Sequence, residues 1–350
     1  MPAIGNPQLR LLERLSNACA VSGDEGEVRK IVLAEIEGHA DEVKVDALGN
    51  VLAVKKGSQR KRLRVMLSAH MDEVGFMLVA DDGEGVFRFE VIGSIDPRQL
   101  PGKAVWVGRD HTPGVIGARP IHLTTAEERK RAIPVDSLRI DLGPGGKAKP
   151  GDRATFASPF RRLGPSLLGK ALDNRLGVVT LIELLRNAPP NVDLLAAFTV
   201  QEEIGLRGAK VAAFALDPDL GIAVDATPAH DLPAWDGEPA PFYNTRLGLG
   251  PAIYVADRAT LSDPRLVRWL TSTAESAGIP YQVRQPGGGG TDAGAIQRAR
   301  AGVPAVSVSI PHRYPHTAAS LARLDDWKNT LALLHTALSR LTPDVLAEER

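Results

Sequence analysis

Four short apolar runs constrain this fold most: Leu63–Ala69, Leu194–Val200, Gly221–Val224 and Ala305–Ile310. Around them stand segments with apolar residues at helical spacing, from Leu176 to Leu185, near Gly208–Leu216, at Leu266–Ala277 and at Asp325–Leu341. Strand-like runs alternating with helical ones read as an α/β layered fold. Two further helices are expected over residues 7–19 and after a Ser22-Gly23-Asp24 cap, where Val28, Ile31, Val32 and Ile36 share a face. Strands are expected next at Val43–Val45 and Val51–Val54.

The stretch from Val74 to Arg162 breaks this alternation. It holds short β-like pieces at Phe76–Val79, Val86–Val91, Ala104–Val107, Val115–Ile116 and Ser137–Asp141, separated by Gly and Pro. Helical spacing is confined to a polar stretch near Thr125–Ala132. Such a pattern reads as a small β-barrel or sandwich inserted into the α/β domain; the competing arrangement is one continuous mixed sheet. A chain of 350 residues is long enough for two domains. The expected division is 1–73 with 163–350, and 74–162 between them.

Composition excludes several classes. Lys plus Arg and Asp plus Glu both number 42, so the formal charge is zero and no electrostatic case exists for nucleic acid or an anionic membrane. The single cysteine, Cys19, rules out a disulfide framework and suits a reducing cytoplasm. Neither a signal peptide nor a transmembrane helix is expected, and the chain reads as cytoplasmic.

Chemistry collects where the apolar runs stop. Leu63–Ala69 leads into His70-Met71-Asp72, where residues two apart share a face. Leu194–Val200 leads into Gln201-Glu202-Glu203, Gly221–Val224 into Asp225, and Ala305–Ile310 into a segment containing His312 and His316. Ligands of open α/β sheets bind beyond the carboxyl ends of the strands. Asp173 stands just before a helical pattern, where capping is the plain reading. Each of the others also has a plain reading alone: a core histidine, a solvated acidic loop, a turn cap, a surface histidine. Together, two imidazoles (His70, His316) and three carboxylates (Asp173, Glu203, Asp225) suit divalent zinc or cobalt. Glu202, next to a ligand, is then placed as general base, and Asp72 as the residue that orients His70. His39, His111, His122, His230 and His335 lack such company, and His312 ranks below His316. The run Gly287–Gly290 lacks the residues of a nucleotide loop and reads as backbone close to the substrate, with Thr291 or Asp292 capping a helix over Ala293–Arg298.

The motifs Ser68-Ala-His70-Met-Asp72-Glu-Val-Gly75, Gly169-Lys-Ala-Leu-Asp173-Asn-Arg175, Gln201-Glu202-Glu203-Ile-Gly205, Val224-Asp225, Gly289-Gly-Thr-Asp-Ala-Gly294 and Arg313-Tyr-Pro-His316 span nearly the whole chain. In this order they resemble the dinuclear-metal aminopeptidases that include the glutamyl and deblocking aminopeptidases and the tetrahedral (TET) peptidases. The resemblance implies a mixed-sheet α/β/α catalytic domain with an inserted β-barrel-like dimerisation domain. It implies one metal on His70 and Asp225, a second on Glu203 and His316, and Asp173 bridging them. Glu202 matches the base and Asp72 the residue orienting His70. It implies short peptide substrates, and homo-oligomers that are dimers or tetrahedral dodecamers. Pro315 before His316, Thr317-Ala318 after it, and the lengthened glycine run depart from the family pattern. A carboxypeptidase or an N-acyl amino-acid deacylase built on the same core is the alternative; a metal-free glycosidase and a non-catalytic scaffold are more distant ones.

Overall fold

A computed structural model describes residues 2–232 and 245–349. The four apolar runs form neighbouring parallel strands in the spatial order Val192–Thr199, Leu63–His70, Leu220–Pro228, Ala305–Arg313. Antiparallel strands extend this group on both sides, and Ala252–Tyr254 with its parallel neighbour Gln282–Arg284 branches from Ala305–Arg313, which makes a sheet of eleven strands among the described residues. Val51–Lys55 and Glu42–Val45 flank one edge; Ser320–Arg323, Ser166–Gly169 and Arg161–Leu163 flank the other.

Side chains alternate along each strand, and here both faces are covered. Val65, Leu67, Ala69, Leu194, Ala196 and Phe198 pack with the helices Asn6–Asn17, Gly26–Ile36, Leu172–Arg186, Pro264–Ala277 and Leu324–Arg340. Met66, Leu195 and Ala197 face the other way, onto Ala212, Ala213 and Ile296 of the helices Arg207–Leu216 and Asp292–Ile296. Burial on both faces is why the strands read as continuous apolar runs rather than as alternation. The result is the expected α/β/α layering. Leu172–Arg186 is apolar on nearly every side and lies within the larger core.

The segment between Gly75 and Phe156 closes into a barrel of six strands: Gly75–Gly83, Val86–Ile92, Arg139–Asp141, Thr112–Gly117, Ala104–Val107 and Arg153–Phe156. It has its own core, in which Phe76 meets Phe89 and Phe156 edge-to-face at 5.2 and 5.3 Å. Gly85 permits a close strand approach: a Cβ there would sit 2.0 Å from Gly143 O.

Several local expectations need correction. The polar stretch Thr125–Ala132 forms only the single 3₁₀ turn Glu128–Lys130, because it has no apolar face to bury. Helix Gly26–Ile36 begins after Glu25, with no side-chain cap from Ser22 or Asp24; the Ser22 hydroxyl is instead bonded to Asp72. Asp225 lies inside its strand, which continues to Pro228 by pairing with Ala305–Arg313. The strands Arg153–Phe156, Ser166–Gly169, Ala252–Tyr254 and Gln282–Arg284 are short and were not expected. No helix among the described residues is long and apolar enough to cross a membrane.

Candidate active site

Parallel strands end on the same edge, so register decides which side chains meet there. Thr199 pairs with His70 and Ala223 with Ser68, which brings Asp225 level with His70. His70 Nε2 lies 3.4 Å from Asp225 Oδ1 and 3.3 Å from Asp173 Oδ1. On the other side of Asp173, Oδ2 lies 3.4 Å from His316 Nε2, which in turn is 3.2 Å from Glu203 Oε2. The five residues thus form two groups, His70–Asp173–Asp225 and Asp173–Glu203–His316, each with ligand atoms within 4.8 Å of one another. Asp173 belongs to both.

Asp173 is not the helix cap. Although it falls within Leu172–Arg186, its backbone (φ −80°, ψ 103°) and that of Asn174 are not helical. Asn174 Oδ1 accepts the N–H of Gly177 at 3.1 Å, three residues on, which is the bond an N-cap makes. Its amide also donates to Val224 O at 2.7 Å, tying the turn to the strand that carries Asp225. Gly177 is required here, since a Cβ would lie 2.1 Å from Asn174 Oδ1. With the cap supplied by Asn174, the Asp173 carboxylate is left for the cavity.

Each ring has a second partner that fixes it. His70 Nδ1 meets the Asp72 backbone carbonyl at 3.2 Å, with the Asp72 carboxylate at 3.5 Å. Both the carbonyl and the carboxylate of Asp72 thus face this ring nitrogen. His316 Nδ1 meets Ser94 O at 2.9 Å, a contact from the loop just after the barrel strand Val86–Ile92 that no motif announced. His312 is buried with Nδ1 on Ile310 O at 2.9 Å, and burial pushes it down to about 4. It belongs to neither group.

The electrostatics fit a cation site. Burial alone would lower the His70 imidazole, but Asp173, Asp225 and Asp72 outweigh it and raise it well above its ordinary value. Burial opposes a charged His316 too, yet Glu203 and Asp173 push it up to about 11. Burial raises Glu203 and Asp225, whereas the two imidazoles hold Asp173 well below the usual carboxylate range despite its burial. Asp173 Oδ1 is buried and has no hydrogen bond of good geometry. Crowded buried carboxylates with two imidazoles and an orphaned oxygen form a donor set that suits borderline divalent ions.

Glu202 and the five residues line one cavity of about 610 Å³. Gly288–Gly290 line it as well. Thr291 precedes helix Asp292–Ile296 without a side-chain cap, and Asp292 accepts the Thr199 hydroxyl at 2.6 Å instead of capping. His230, Tyr254 and Arg284 share the cavity wall and were missed. Tyr254 and Arg284 come from three-residue strands whose sequence carries no periodic pattern. His111 also has unexpected company, Glu27 Oε1 at 2.6 Å and Cys19. There Lys30, Arg109 and Arg153 line the adjacent pocket and burial pushes the thiol up to about 12, a poor setting for a cation.

Residues 49–333 match the family described as M42 glutamyl aminopeptidase. The chain belongs to that family. It is 35% identical to the lysyl aminopeptidase of Pyrococcus furiosus, over 95% of this chain and 97% of that relative. A solved TET aminopeptidase from a marine sediment archaeon of the Thaumarchaeota superposes with a TM-score of 0.92 at 33% identity, covering 98% of this chain and 99% of that one. A TET peptidase of Pyrococcus horikoshii, described as assembling into a tetrahedron or a large octahedral shell, has a TM-score of 0.83 at 33% identity over 95% of this chain and all of its own, 100%. The M42 relationship thus extends across both the sheet domain and the barrel.

Proposed function

We propose that this M42 family member is a dinuclear-metal aminopeptidase that releases N-terminal residues from short peptides. One observation carries the reading: Asp173 turns Oδ1 to His70 and Oδ2 to His316, as a carboxylate shared by two cations would. On this reading His70 and Asp225 would hold one ion, Glu203 and His316 the other, and Asp173 both. Zinc or cobalt suits these ligands. Two divalent ions bound there supply Lewis-acid polarisation of the scissile carbonyl and a water that ionises near neutral pH.

The chain's own residues supply the rest. Burial raises Glu202 well above an ordinary carboxyl, His70 opposing and Asp225, Glu203 and Asp292 adding to the rise. A carboxylate with heightened proton affinity suits a base that takes a proton from the attacking water and returns it to the leaving amine nitrogen. Asp72 positions His70 and the Glu202–Glu203 backbone. The barrel, residues 74–162, serves as the assembly unit of a homo-oligomer; Ile121 and Leu123, 69% and 62% exposed in one of its loops, are apolar enough to be covered there.

The test is hydrolysis of free-amine aminoacyl anilides by metal-stripped protein, before and after zinc or cobalt is restored, with N-acetylated controls. Metal-dependent cleavage confined to the free-amine set supports the reading. Cleavage of the acetylated set instead points to a deacylase on the same core.

A further inference from the structure

The two imidazoles of the site are held by different domains. His70 ends a buried strand, its side chain is 2% exposed, and both groups that face its Nδ1 belong to Asp72 of the same sheet domain. His316 stands on irregular backbone between the strands Ala305–Arg313 and Ser320–Arg323. Its φ is 57°, as is that of Tyr314, and its side chain is 34% exposed. Within this turn the Thr317 hydroxyl donates to Tyr314 O at 2.8 Å and accepts the Ala319 N–H at 3.1 Å. Neither bond touches the His316 ring. Ser94 O does, 2.9 Å from Nδ1.

Ser94 is fixed by its neighbours in the barrel. Ile95 is buried in the barrel's core, and Gly93, on the other side, has a φ of 82° that favours glycine. A Cβ on Gly93 would lie 2.7 Å from Val74 Cγ1 and 3.4 Å from Glu203 Cβ, so this turn is pressed between the barrel's first residues and the acidic pair. Ala318, two residues after His316, packs against the same barrel core. The turn that carries His316 is thus fastened to the barrel by a hydrogen bond and by an apolar contact. A neutral imidazole that donates from Nδ1 keeps its lone pair on Nε2. Nε2 is the atom that faces Asp173 and Glu203, at 3.4 and 3.2 Å.

We infer that the barrel positions one half of the metal site: the Ser94 carbonyl, held by Gly93 and Ile95, sets the tautomer and direction of His316, while the half built on His70 and Asp225 stands without it. The inference rests on the dinuclear-metal reading. Ser94 is a positioning residue, since it acts only through the His316 ring. An outer partner of this kind is worth about 10- to 100-fold in metal affinity. His316 needs one more than His70 does, because a part-exposed ring on a turn is free to swing toward solvent and an enclosed ring is not. The barrel therefore has a task inside each subunit, whatever it does between subunits.

The experiment is calorimetric titration of the metal-stripped full chain with zinc, in wild type, Gly93→Ala, Ser94→Ala, His316→Ala and the double variant Gly93→Ala with His316→Ala. Wild type should take up two equivalents. Gly93→Ala displaces the carbonyl and should weaken one equivalent about 10- to 100-fold while the other keeps its wild-type affinity. Ser94→Ala keeps the carbonyl and should bind both as wild type does. In the His316→Ala background, Gly93→Ala should have no further effect, because its influence passes through that ring. Two unchanged equivalents in Gly93→Ala, two weakened alike, a weakened equivalent in Ser94→Ala, or a further loss in the double variant overturns the inference and leaves the dinuclear reading intact. Fewer than two equivalents in wild type overturns the dinuclear reading and this inference with it. Should Gly93→Ala fail to fold, a crystal structure of the zinc-loaded wild type decides. Ser94 O must then lie within hydrogen-bond distance of His316 Nδ1 with zinc on Nε2; a ring that binds zinc through Nδ1, or one turned away from Ser94, overturns the inference.

Discussion

Asp72 Oδ1 accepts the backbone N–H of Glu202 at 3.0 Å. Its Oδ2 accepts the Ser22 hydroxyl at 2.6 Å and the Glu203 N–H at 3.2 Å. Asp72 is fully buried, so this single carboxylate sets where the acidic pair enters the cavity. Glu202→Gln keeps the backbone bond and removes only the proton acceptor. Its kcat should fall about 100- to 10,000-fold with metal content unchanged. Asp72→Asn should lower both kcat and metal content, because it disturbs His70, Glu202 and Glu203 together. Anilide kinetics with elemental analysis separates the two, and near-normal turnover of Glu202→Gln would remove it as the base.

The two ligand groups share only Asp173, and that gives a stoichiometric prediction. Asp173→Asn should weaken binding of both metal equivalents. His316→Ala should weaken one and spare the other, since His70 and Asp225 lie in the other group. Calorimetric titration of stripped protein with zinc reads this directly. Two full-affinity equivalents in Asp173→Asn would contradict the bridging role.

What the sequence discloses and what it hides follow from the same physics. His70, Glu202, Glu203 and His316 were legible because strands buried on both faces end abruptly in ionisable groups. Asp225 is legible as a residue, but the apolar run stops at Val224 and only pairing with Ala305–Arg313 carries the strand on. Asp173 sat where a cap is ordinary, and its freedom depends on Asn174 taking that task. Ser94 and Arg284 left no trace, because each is one polar residue brought to the site by long-range packing. The barrel was legible as a region, but its closing strand Arg153–Phe156 is four residues long and has no pattern of its own.

Behind the site, Glu73 meets two cations in the core. Lys170 Nζ lies 2.8 Å from its Oε1 and Arg175 Nη2 lies 3.2 Å away, with all three side chains at most 3% exposed. Arg175 also donates to Asp72 O at 3.1 Å and to Met71 O, so the cluster braces the loop after His70. Glu73→Gln leaves two buried cations without a counter-charge. It should cost about 3–5 kcal/mol of stability, read by urea denaturation; a loss within the range of a surface substitution would show that the ion cluster is dispensable.

Assembly is tested on the barrel loop. Replacing both Ile121 and Leu123 by Glu places charge on a proposed contact surface without touching the sheet domain. Mass photometry should show smaller particles than wild type, with the stripped subunit still taking up metal. An unchanged particle mass would move the interface elsewhere.

The last prediction concerns pH and lies outside the metal ligands. Asp326, in helix Leu324–Arg340, accepts the N–H groups of Gly248 and Gly250 at 2.7 and 2.8 Å. Gly250 needs no side chain there, with φ at 85° and a Cβ that would lie 2.0 Å from Pro280 O. Burial pushes the Asp326 carboxyl up from 3.8 to about 6, against the pull of those two N–H groups. The native state therefore binds this proton more tightly than the unfolded chain does. The resulting stabilisation is fully present below the unfolded value of 3.8 and is lost as pH rises through about 6. At one pKa unit per 1.36 kcal/mol, the group should favour folding by about 2 kcal/mol more at pH ~4.5 than at pH ~7.5. Asp326→Asn cannot titrate. Its stability deficit relative to wild type, measured by urea denaturation, should be larger at the lower pH by about that amount. A deficit equal at both pH values would mean that Asp326 does not hold its proton in the folded protein.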